Sequence, residues 1–235
     1  METVVSELQT LTRWTFGQYC GLARAMEYIG ERWSILLVRD LMTGPRTVTQ
    51  LREGFPQMPP GLLASRLAEL ERSGVIRVQA DAVSGDDTRY ELTEYGLALE
   101  EIVLALGRWG AASLAAARPE DVVTPESIIM ALRATFVRSA AADVRFSFEL
   151  RVGEIVLHGR INDGALDIGK GSAVPDADLI IEPGTILKDL MTGVVTAEQA
   201  LAHPSFRAIG NPALVGVFAK VFHLPSLPIQ QRETR

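Results

Sequence analysis

The stretch PPGLLASRLAELERSGVIRV, residues 59–78, predicts a short helix that ends at a glycine and leads into a strand. Three leucines recur at helical spacing and predict the buried side of this helix: Leu63, Leu67 and Leu70. Gly74 is typical of the position just past a helix end. The stretch TRYELTEYG, residues 88–96, predicts a returning strand and the start of another helix. Together, the two stretches predict a two-stranded hairpin beside a helix.

Helical spacing also dominates the chain before this stretch. The apolar residues that repeat at this spacing are Leu22, Ala25, Met26 and Ile29, then Trp33, Leu36, Leu37 and Leu41. Gly44-Pro45 ends the second group, and a short helix is expected over residues 47–55. After the hairpin, a long amphipathic helix is expected over residues 94–117. Three helices and a hairpin predict a winged helix-turn-helix, whose second helix enters the major groove of DNA.

The apolar period changes after the sequence RPED, residues 118–121, which is typical of a linker. A helix is expected over residues 126–136, and the unbroken alternation of VRFSFELRV, residues 144–152, predicts a half-buried strand. Further strands are expected at residues 154–161, 165–169 and 178–183, and helices at residues 185–193, 196–203 and 212–224. The predicted fold class is α+β, with a winged-helix domain at residues 1–118 and an α+β domain at residues 119–235.

The composition is that of an ordinary globular protein, because 47% of the 235 residues are hydrophobic and 22% are charged. No apolar run reaches the roughly 18 residues that a membrane span needs, so no membrane partner is expected. The single cysteine, Cys20, fits a reducing cytosol, and we expect a cytoplasmic protein. No Cys/His spacing predicts a metal site, and no cofactor is expected.

The net charge of −6 disfavours a general polyanion-binding protein, but net charge says little about a local surface. Between residues 44 and 77, five arginines stand against three glutamates, so this segment is locally basic. Arginine suits bidentate contacts to phosphate and guanine. A GC-rich genome that favours arginine codons explains the same count, and the sequence leaves both explanations open.

Four segments resemble the HxlR-type bacterial regulators, which are relatives of the MarR group. They are Cys20 with ARAMEYIGERWSILLVRDL (23–41), GPRTVTQL (44–51), LLASRLAELERSGVI (62–76) and YELTEYG (90–96). The resemblance covers about residues 18–112. It implies a homodimeric transcription factor that binds double-stranded DNA, with a recognition helix at residues 60–72 and a wing at residues 83–89.

The same resemblance implies a set of DNA-contacting residues: Gly61, Ser65 and Arg66 on the recognition helix, Arg46 and Thr47 at the preceding helix, and Arg89 in the wing. Two alternatives stay open, since Arg66 could pair with Glu69 or clamp a neighbouring element, and Thr47 could simply cap its own helix. The chain also departs from the family pattern. Pro59 replaces a capping serine, Gly61 and Ala64 replace polar residues, and Asp86 and Asp87 would repel phosphate in the wing.

The second half resembles the sterol-carrier-protein type-two fold, an α+β domain whose sheet and C-terminal helices enclose an apolar tunnel. DADLIIEP (176–183), TILKDLMTG, TAEQAL and ALVGVFAKVF carry this resemblance. It implies these ligand-lining residues: Ile186, Leu187, Leu190, Met191, Leu201, Phe206, Leu214, Phe218 and Phe222. Alternatively, these side chains fill a small core.

The two halves together predict a dimeric, sequence-specific transcriptional regulator whose operator affinity is modulated by a small apolar effector. The long helix over residues 94–117 is the expected link between the halves. The alternatives are a lipid or small-molecule carrier, and a structural dimer with a degenerate helix-turn-helix. An enzyme is not expected, because no Ser/His/Asp or Cys/His set and no glycine-rich phosphate loop is present.

Cys20 stands where many HxlR-type regulators carry an N-terminal cysteine, some of which sense oxidants or electrophiles. A following helix and Arg24 would favour its reactive thiolate. Against this, an unpaired cysteine is usually a small buried apolar residue, and the neighbours of Cys20 also suit a dimer interface. The sequence favours this structural role over redox sensing.

Overall fold

The computed structural model describes residues 15–79, 88–115, 118, 120–173 and 176–225. The chain divides into two compact units, one ending at Glu100 and the other beginning at Glu101. The boundary predicted after residue 118 followed the linker composition, whereas this division assigns the helix after residue 100 to the second unit. Within the second unit, Arg108 Nη1 of this helix donates to the Ala134 carbonyl at 3.0 Å. No helix of the described ranges is long and apolar enough to cross a membrane.

Four helices open the first unit and confirm the predicted helical region: α1 Gly21–Ile29, α2 Ser34–Leu41, α3 Val48–Gly54 and α4 Pro60–Arg72. Proline stands at the first helical position of α4, where its missing N–H costs no hydrogen bond. Gly74 follows α4 with a φ of 74°, a left-handed conformation that glycine adopts without strain.

The hairpin is part of a small antiparallel sheet of three strands: β1 Arg46–Thr47, β2 Ile76–Val78 and β3 Arg89–Leu92. The strand order is β1-β3-β2, so the predicted hairpin is present and a short third strand lies on its far edge. Most of the predicted wing, including Asp86 and Asp87, lies outside the described residues.

The core of the first unit is the leucine side of α4 packed with apolar side chains of α2, α3 and β2. The predicted Leu63, Leu67 and Leu70 are all buried, as are Leu37, Leu51 and Ile76. Gly96 belongs to this packing, because a Cβ there would lie 2.1 Å from the Val75 carbonyl oxygen. The glycine of the sequence YELTEYG is therefore required by a close backbone approach.

The prediction of a single long helix over residues 94–117 is wrong in two places. The structure has a short α5, Glu94–Leu97, and a separate α6, Glu100–Ala112. The Leu99 N–H bonds the Gly96 carbonyl three residues back at 3.1 Å, and this tightened turn ends α5. At the other end, Ser113 donates from both its N–H and its hydroxyl to the Gly110 carbonyl, which ends α6 early.

The second unit continues with α7 Pro125–Thr135 and a 3₁₀ turn, Arg138–Ala141. Its sheet has five strands, β4 Arg145–Val152, β5 Ile155–Asn162, β6 Ala165–Lys170, β7 Leu179–Glu182 and β8 Arg207–Gly210. The helices α8 Leu187–Thr192 and α9 Ala197–Ala202 precede β8, and α10 Ala213–Val221 follows it. The strand order is β6-β5-β4-β7-β8, with β4 and β7 parallel and the other pairs antiparallel. The four predicted strands are present, and β8 was not predicted.

One face of this sheet holds an aromatic core. Phe146, Phe148 and Leu150 of β4 are buried, as the alternation predicted. The ring of Phe148 lies edge-on to Phe218 and Phe222, with ring centroids 5.3 and 5.5 Å apart. The second unit therefore closes its sheet with the aromatic side chains of Phe218 in α10 and of Phe222 directly after it.

Candidate nucleic-acid interface

The solvent side of α4 is built from small residues. Gly61, Ala64, Ser65 and Ala68 are exposed, as the helical period predicted, while the leucines of the opposite side are buried. The Ser65 hydroxyl lies 3.4 Å from Oε1 of Glu69. A helix surface of this kind lets its backbone come close to a partner, because no bulky side chain intervenes.

The start of α4 has no side-chain cap. Pro59 precedes the helix and has no side-chain acceptor, and Pro60 has no N–H. The Pro59 carbonyl accepts from the Leu62 and Leu63 N–H groups at 2.9 and 3.1 Å. The positive end of the helix dipole is thus exposed beside Gly61.

Thr47 caps α3, which confirms the capping alternative for this residue. Its hydroxyl accepts from the Gln50 N–H at 3.1 Å, and the Gln50 side chain accepts from the Thr47 N–H at 3.0 Å. Arg46 donates from Nη2 to the Thr43 hydroxyl at 2.6 Å and is half-buried. DNA contacts by Arg46 and Thr47 stay predictions.

Arg66 is held by two carboxylates. Its Nη2 lies 2.9 Å from Glu31 Oε2, and its Nη1 donates to Glu69 one turn further along α4. Only 14% of the Arg66 side chain is exposed. The structure therefore places Arg66 in both arrangements proposed as alternatives to a DNA contact, an intrahelical pair and a clamp on a neighbouring element.

Arg89 is exposed on β3 and lies opposite Thr47 in the β1–β3 ladder. This pairing brings a wing residue next to the first turn of α3. The sequence did not predict this pairing, since a two-residue strand such as β1 has no apolar periodicity. Beside it, burial together with the charge of Glu71 raises the pKa of Tyr90.

The basic character counted from the sequence is reduced by ion pairs. Arg66 is paired as described, and Arg77 Nε lies 2.8 Å from Glu91 Oε1. At least two of the five arginines between residues 44 and 77 thus have carboxylate partners on the protein itself. Counting charges along the sequence overestimates the positive field of this segment.

Cys20 is exposed at the position that precedes the first turn of α1. Within this chain it is not the buried apolar residue that the sequence favoured, which leaves the interface role and the redox role as predictions. Arg24 was expected to place a positive charge near the thiol, but its Nη1 pairs with Glu27 at 2.8 Å.

A cavity of about 250 Å³ lies in the first unit, near the ends of α1 and α4. Its walls include Phe16, Met26 and Tyr28, together with Glu31, Glu69 and Arg72. The carboxylate of Glu27 accepts from the Thr15 hydroxyl and from the Phe16 N–H, each at 2.9 Å, and so fixes one wall. Sequence reasoning missed this cavity, because its walls come from three separate segments.

Residues 28–118 match the family of HxlR-like helix-turn-helix proteins. A relative from Bacillus subtilis strain 168, the uncharacterized HTH-type transcriptional regulator YdeP, is 31% identical over 91 residues, which are 39% of this chain and 71% of the relative. The chain belongs to the HxlR family of transcriptional regulators. The HTH-type transcriptional regulator YodB of the same organism is 32% identical over 85 residues, which are 36% of this chain and 76% of YodB.

A crystal structure of a putative HTH-type transcriptional regulator, ytcD, is similar to this HxlR protein at 33% identity and a TM-score of 0.36. The similarity covers 39% of this chain and 94% of that chain. As a helix-turn-helix regulator, the HxlR protein has double-stranded DNA as its partner.

The apolar-ligand residues predicted for this HxlR regulator lie in the second unit. Six of them belong to its buried core: Ile186, Leu190, Met191, Phe206, Phe218 and Phe222. Leu187 and Leu214 are partly buried against that core, and Leu201 is 42% exposed. Among the described residues, no group of His, Cys, Asp and Glu side chains is arranged to hold a metal ion.

Proposed function

We propose that this HxlR regulator binds an operator as a homodimer, with α4 of each protomer in the major groove. The observation that carries the proposal is the division of α4 into a leucine side in the core and an exposed side of small residues. Base edges are read at close range, so a helix without bulky outward side chains suits the groove.

Within this proposal, Gly61 and Ser65 lie nearest the bases, and the uncapped start of α4 faces a phosphate. Arg89 and the segment Arg46-Thr47 contact backbone phosphates, which set the position of the protein on the duplex. Support comes from the β1–β3 ladder, which places Arg89 opposite Thr47 at the first turn of α3.

The homodimer is supported by apolar side chains that the single chain leaves exposed. On α6, the exposed fractions are 51% for Ile102, 49% for Leu106 and 72% for Trp109. Their spacing puts all three on one side of the helix. A second copy would bury such surfaces, and a two-fold dimer matches an operator with two half-sites.

Binding to DNA from the region upstream of the gene tests the proposal, measured by fluorescence anisotropy at several salt concentrations. The affinity of the wild-type protein should fall steeply with salt. Ser65→Glu should weaken binding at least tenfold at constant fold, since it places a carboxylate in the groove. Ser139→Glu, which adds the same charge on the exposed 3₁₀ turn, is the matched control. Equal affinities for both variants would contradict a role of α4 in the groove.

We further propose that the second unit has a sterol-carrier-like fold and binds a small apolar effector. Two features support it. A helix precedes the strands β4 to β7, and helices follow these strands on both sides of β8. Apolar side chains also continue from the core to the surface. Half-buried Leu187 and Leu214 and exposed Val194 and Leu201 form that continuation. The core rings are fully buried, so a ligand would have to displace them.

Thermal unfolding in the presence of dodecanoic acid tests this second proposal. Specific binding should raise the Tm of the wild-type protein with ligand concentration. Leu190→Trp or Phe218→Trp should abolish the increase relative to each variant without ligand, while DNA binding persists. If neither substitution changes the ligand response, the second unit does not bind the ligand at these residues.

A further inference from the structure

We propose that Arg66 is a positioning residue that fixes the recognition helix through Glu31, and that it does not contact DNA. This inference rests on the proposed binding of α4 to DNA. It assigns a role to the segment Gly30–Trp33, which joins α1 to α2 and stands outside the helix-turn-helix itself.

Arg66 lies on the side of α4 that faces the protein. Residues Leu62, Arg66 and Glu69 are all half-buried, whereas the neighbouring Ser65 is exposed. Residues at these spacings share one side of a helix, between the leucine core and the solvent. Viewed along the helix axis, the side chain of Arg66 therefore points roughly 100° away from that of Ser65, which is the rotation of one residue.

The guanidinium joins two elements. Glu69 belongs to α4, and Glu31 belongs to the segment between α1 and α2, 35 positions earlier in the chain. Glu31 and Glu69 are 51% and 37% exposed, so both carboxylates are at the surface while their shared partner is mostly covered. Because Arg66 forms both pairs at once, it limits rotation of α4 about its axis relative to that segment.

The segment that holds Glu31 is itself fixed by Trp33. Trp33 has a φ of 80°, and its ring meets the ring of Phe55 edge-on at 5.9 Å. Phe55 directly follows α3 and is buried. The segment between α1 and α2 thus contacts both helices of the helix-turn-helix, α4 through Glu31 and the end of α3 through Trp33.

A DNA contact by Arg66 would break this arrangement. The guanidinium would have to leave both carboxylates, and the two freed negative charges would then stand near the phosphates. A single phosphate contact would replace two ion pairs already made in the protein. The geometry therefore favours a supporting role over a direct contact.

The two roles predict opposite effects of Glu31→Gln on operator affinity in the full-length protein. If Arg66 positions α4, loss of its partner weakens binding by about two- to fivefold, the range expected for a surface ion pair. If Arg66 contacts DNA, the same substitution tightens binding, because it removes a competing carboxylate. Glu53→Gln, which removes the same charge from exposed α3, is the matched control and should not weaken binding.

The salt dependence of Arg66→Gln provides a second measurement. A positioning residue leaves the slope of log affinity against log salt unchanged, whereas loss of a phosphate contact reduces it by about 0.9. The double variant Arg66→Gln/Glu31→Gln should bind no more weakly than Arg66→Gln, since both remove one interaction. Thermal unfolding of each variant sets a temperature at which all are folded.

The outcomes separate this inference from the proposed function. Wild-type protein that shows no salt-sensitive binding would overturn the proposed function together with this inference. Wild-type binding combined with a gain in affinity for Glu31→Gln, or with a reduced salt slope for Arg66→Gln, would overturn the positioning role alone.

Discussion

At the scale of single residues, Trp33 is the one residue other than glycine with a positive φ among the described residues of the first unit. Helical spacing placed it on one face of α2 with Leu36, Leu37 and Leu41, but it precedes that helix in the left-handed region. Of those leucines, Leu37 and Leu41 are buried and Leu36 is exposed. Residues other than glycine rarely adopt this conformation, because Cβ approaches the following carbonyl oxygen. The ring contacts Phe55 edge-on, and the Arg32 guanidinium lies 5.1 Å from the ring centroid.

Because of this left-handed conformation, we expect a glycine variant at residue 33 to be more stable than an alanine variant, which is the reverse of the usual order. Trp33→Ala and Trp33→Gly both lose the ring contact and should lower the free energy of unfolding by about 2 kcal/mol or more. Glycine adopts a φ of 80° without strain, so Trp33→Gly should be the more stable variant by about 1 kcal/mol. Urea denaturation measures the difference. A more stable alanine variant would show that the segment changes its conformation once the ring is gone.

The exposure of Cys20 predicts a fast thiol reaction. Ellman's reagent should modify the native protein nearly as quickly as the denatured chain, and Cys20→Ser should not react. Slow modification would indicate that a second copy of the chain covers the thiol. Modification that releases the protein from DNA, and that fails to do so in Cys20→Ser, would support the redox role.

At the scale of elements, β4 shows what alternation can predict and what it cannot. The buried face, Phe146 and Phe148, followed from the sequence. Glu149 was expected on the open face but is buried, because the Ala173 N–H and Arg151 Nε reach it at 2.9 and 2.7 Å. Arg151 belongs to β4 itself, whereas Ala173 lies in a loop 24 positions further along the chain. The local alternation of β4 therefore does not reveal the contact with Ala173.

Glu149 makes stability depend on pH. Its burial alone would raise its pKa, but the Ala173 N–H and the Arg151 guanidinium outweigh burial and lower the pKa below the ordinary value of about 4.3. A lowered folded-state pKa stabilises the protein fully above about pH 4.3, and this contribution is lost as pH falls through the lower folded value. Glu149→Gln should therefore cost more free energy of unfolding at pH 6 than at pH 3.

Urea denaturation at both pH values measures that difference, with Glu154→Gln in the exposed turn after β4 as the matched control. If Glu149→Gln lowers the free energy of unfolding equally at pH 6 and pH 3, Glu149 stabilises the protein through the packing of its side chain and not through its charge.

The elements that sequence reasoning missed are the ones that depend on distant partners. β1 has two residues and β8 has four, and each exists because it pairs with β3 or β7. The main helices and the leucine side of α4 were predictable, since a long apolar period is local information. Of the candidate interface, the exposed side of α4 followed from that period, whereas the pairing of Arg66 with Glu31 did not.

At the scale of the whole molecule, the exposed apolar side of α6 predicts the oligomeric state. Leu106→Glu should convert a dimer to a monomer, because two copies would each have to bury a carboxylate. Sedimentation velocity should show this change, together with a loss of at least tenfold in operator affinity. Val122→Glu alters an exposed apolar residue outside α6 and should leave both unchanged. A Leu106→Glu protein that stays dimeric would place the interface elsewhere.

The short ladder between β1 and β3 has a mechanical consequence. Thr47 pairs with Arg89, and the Val48 N–H reaches the Thr88 carbonyl, so the start of α3 and the returning wing strand move as one body. If Thr47 and Arg89 both contact phosphates, the protein and not the duplex sets the distance between those two phosphates. Groove width varies with base sequence, and narrowing or widening a groove costs elastic energy. Operators whose phosphates already stand at the protein's own spacing would then be preferred at positions where no base is touched.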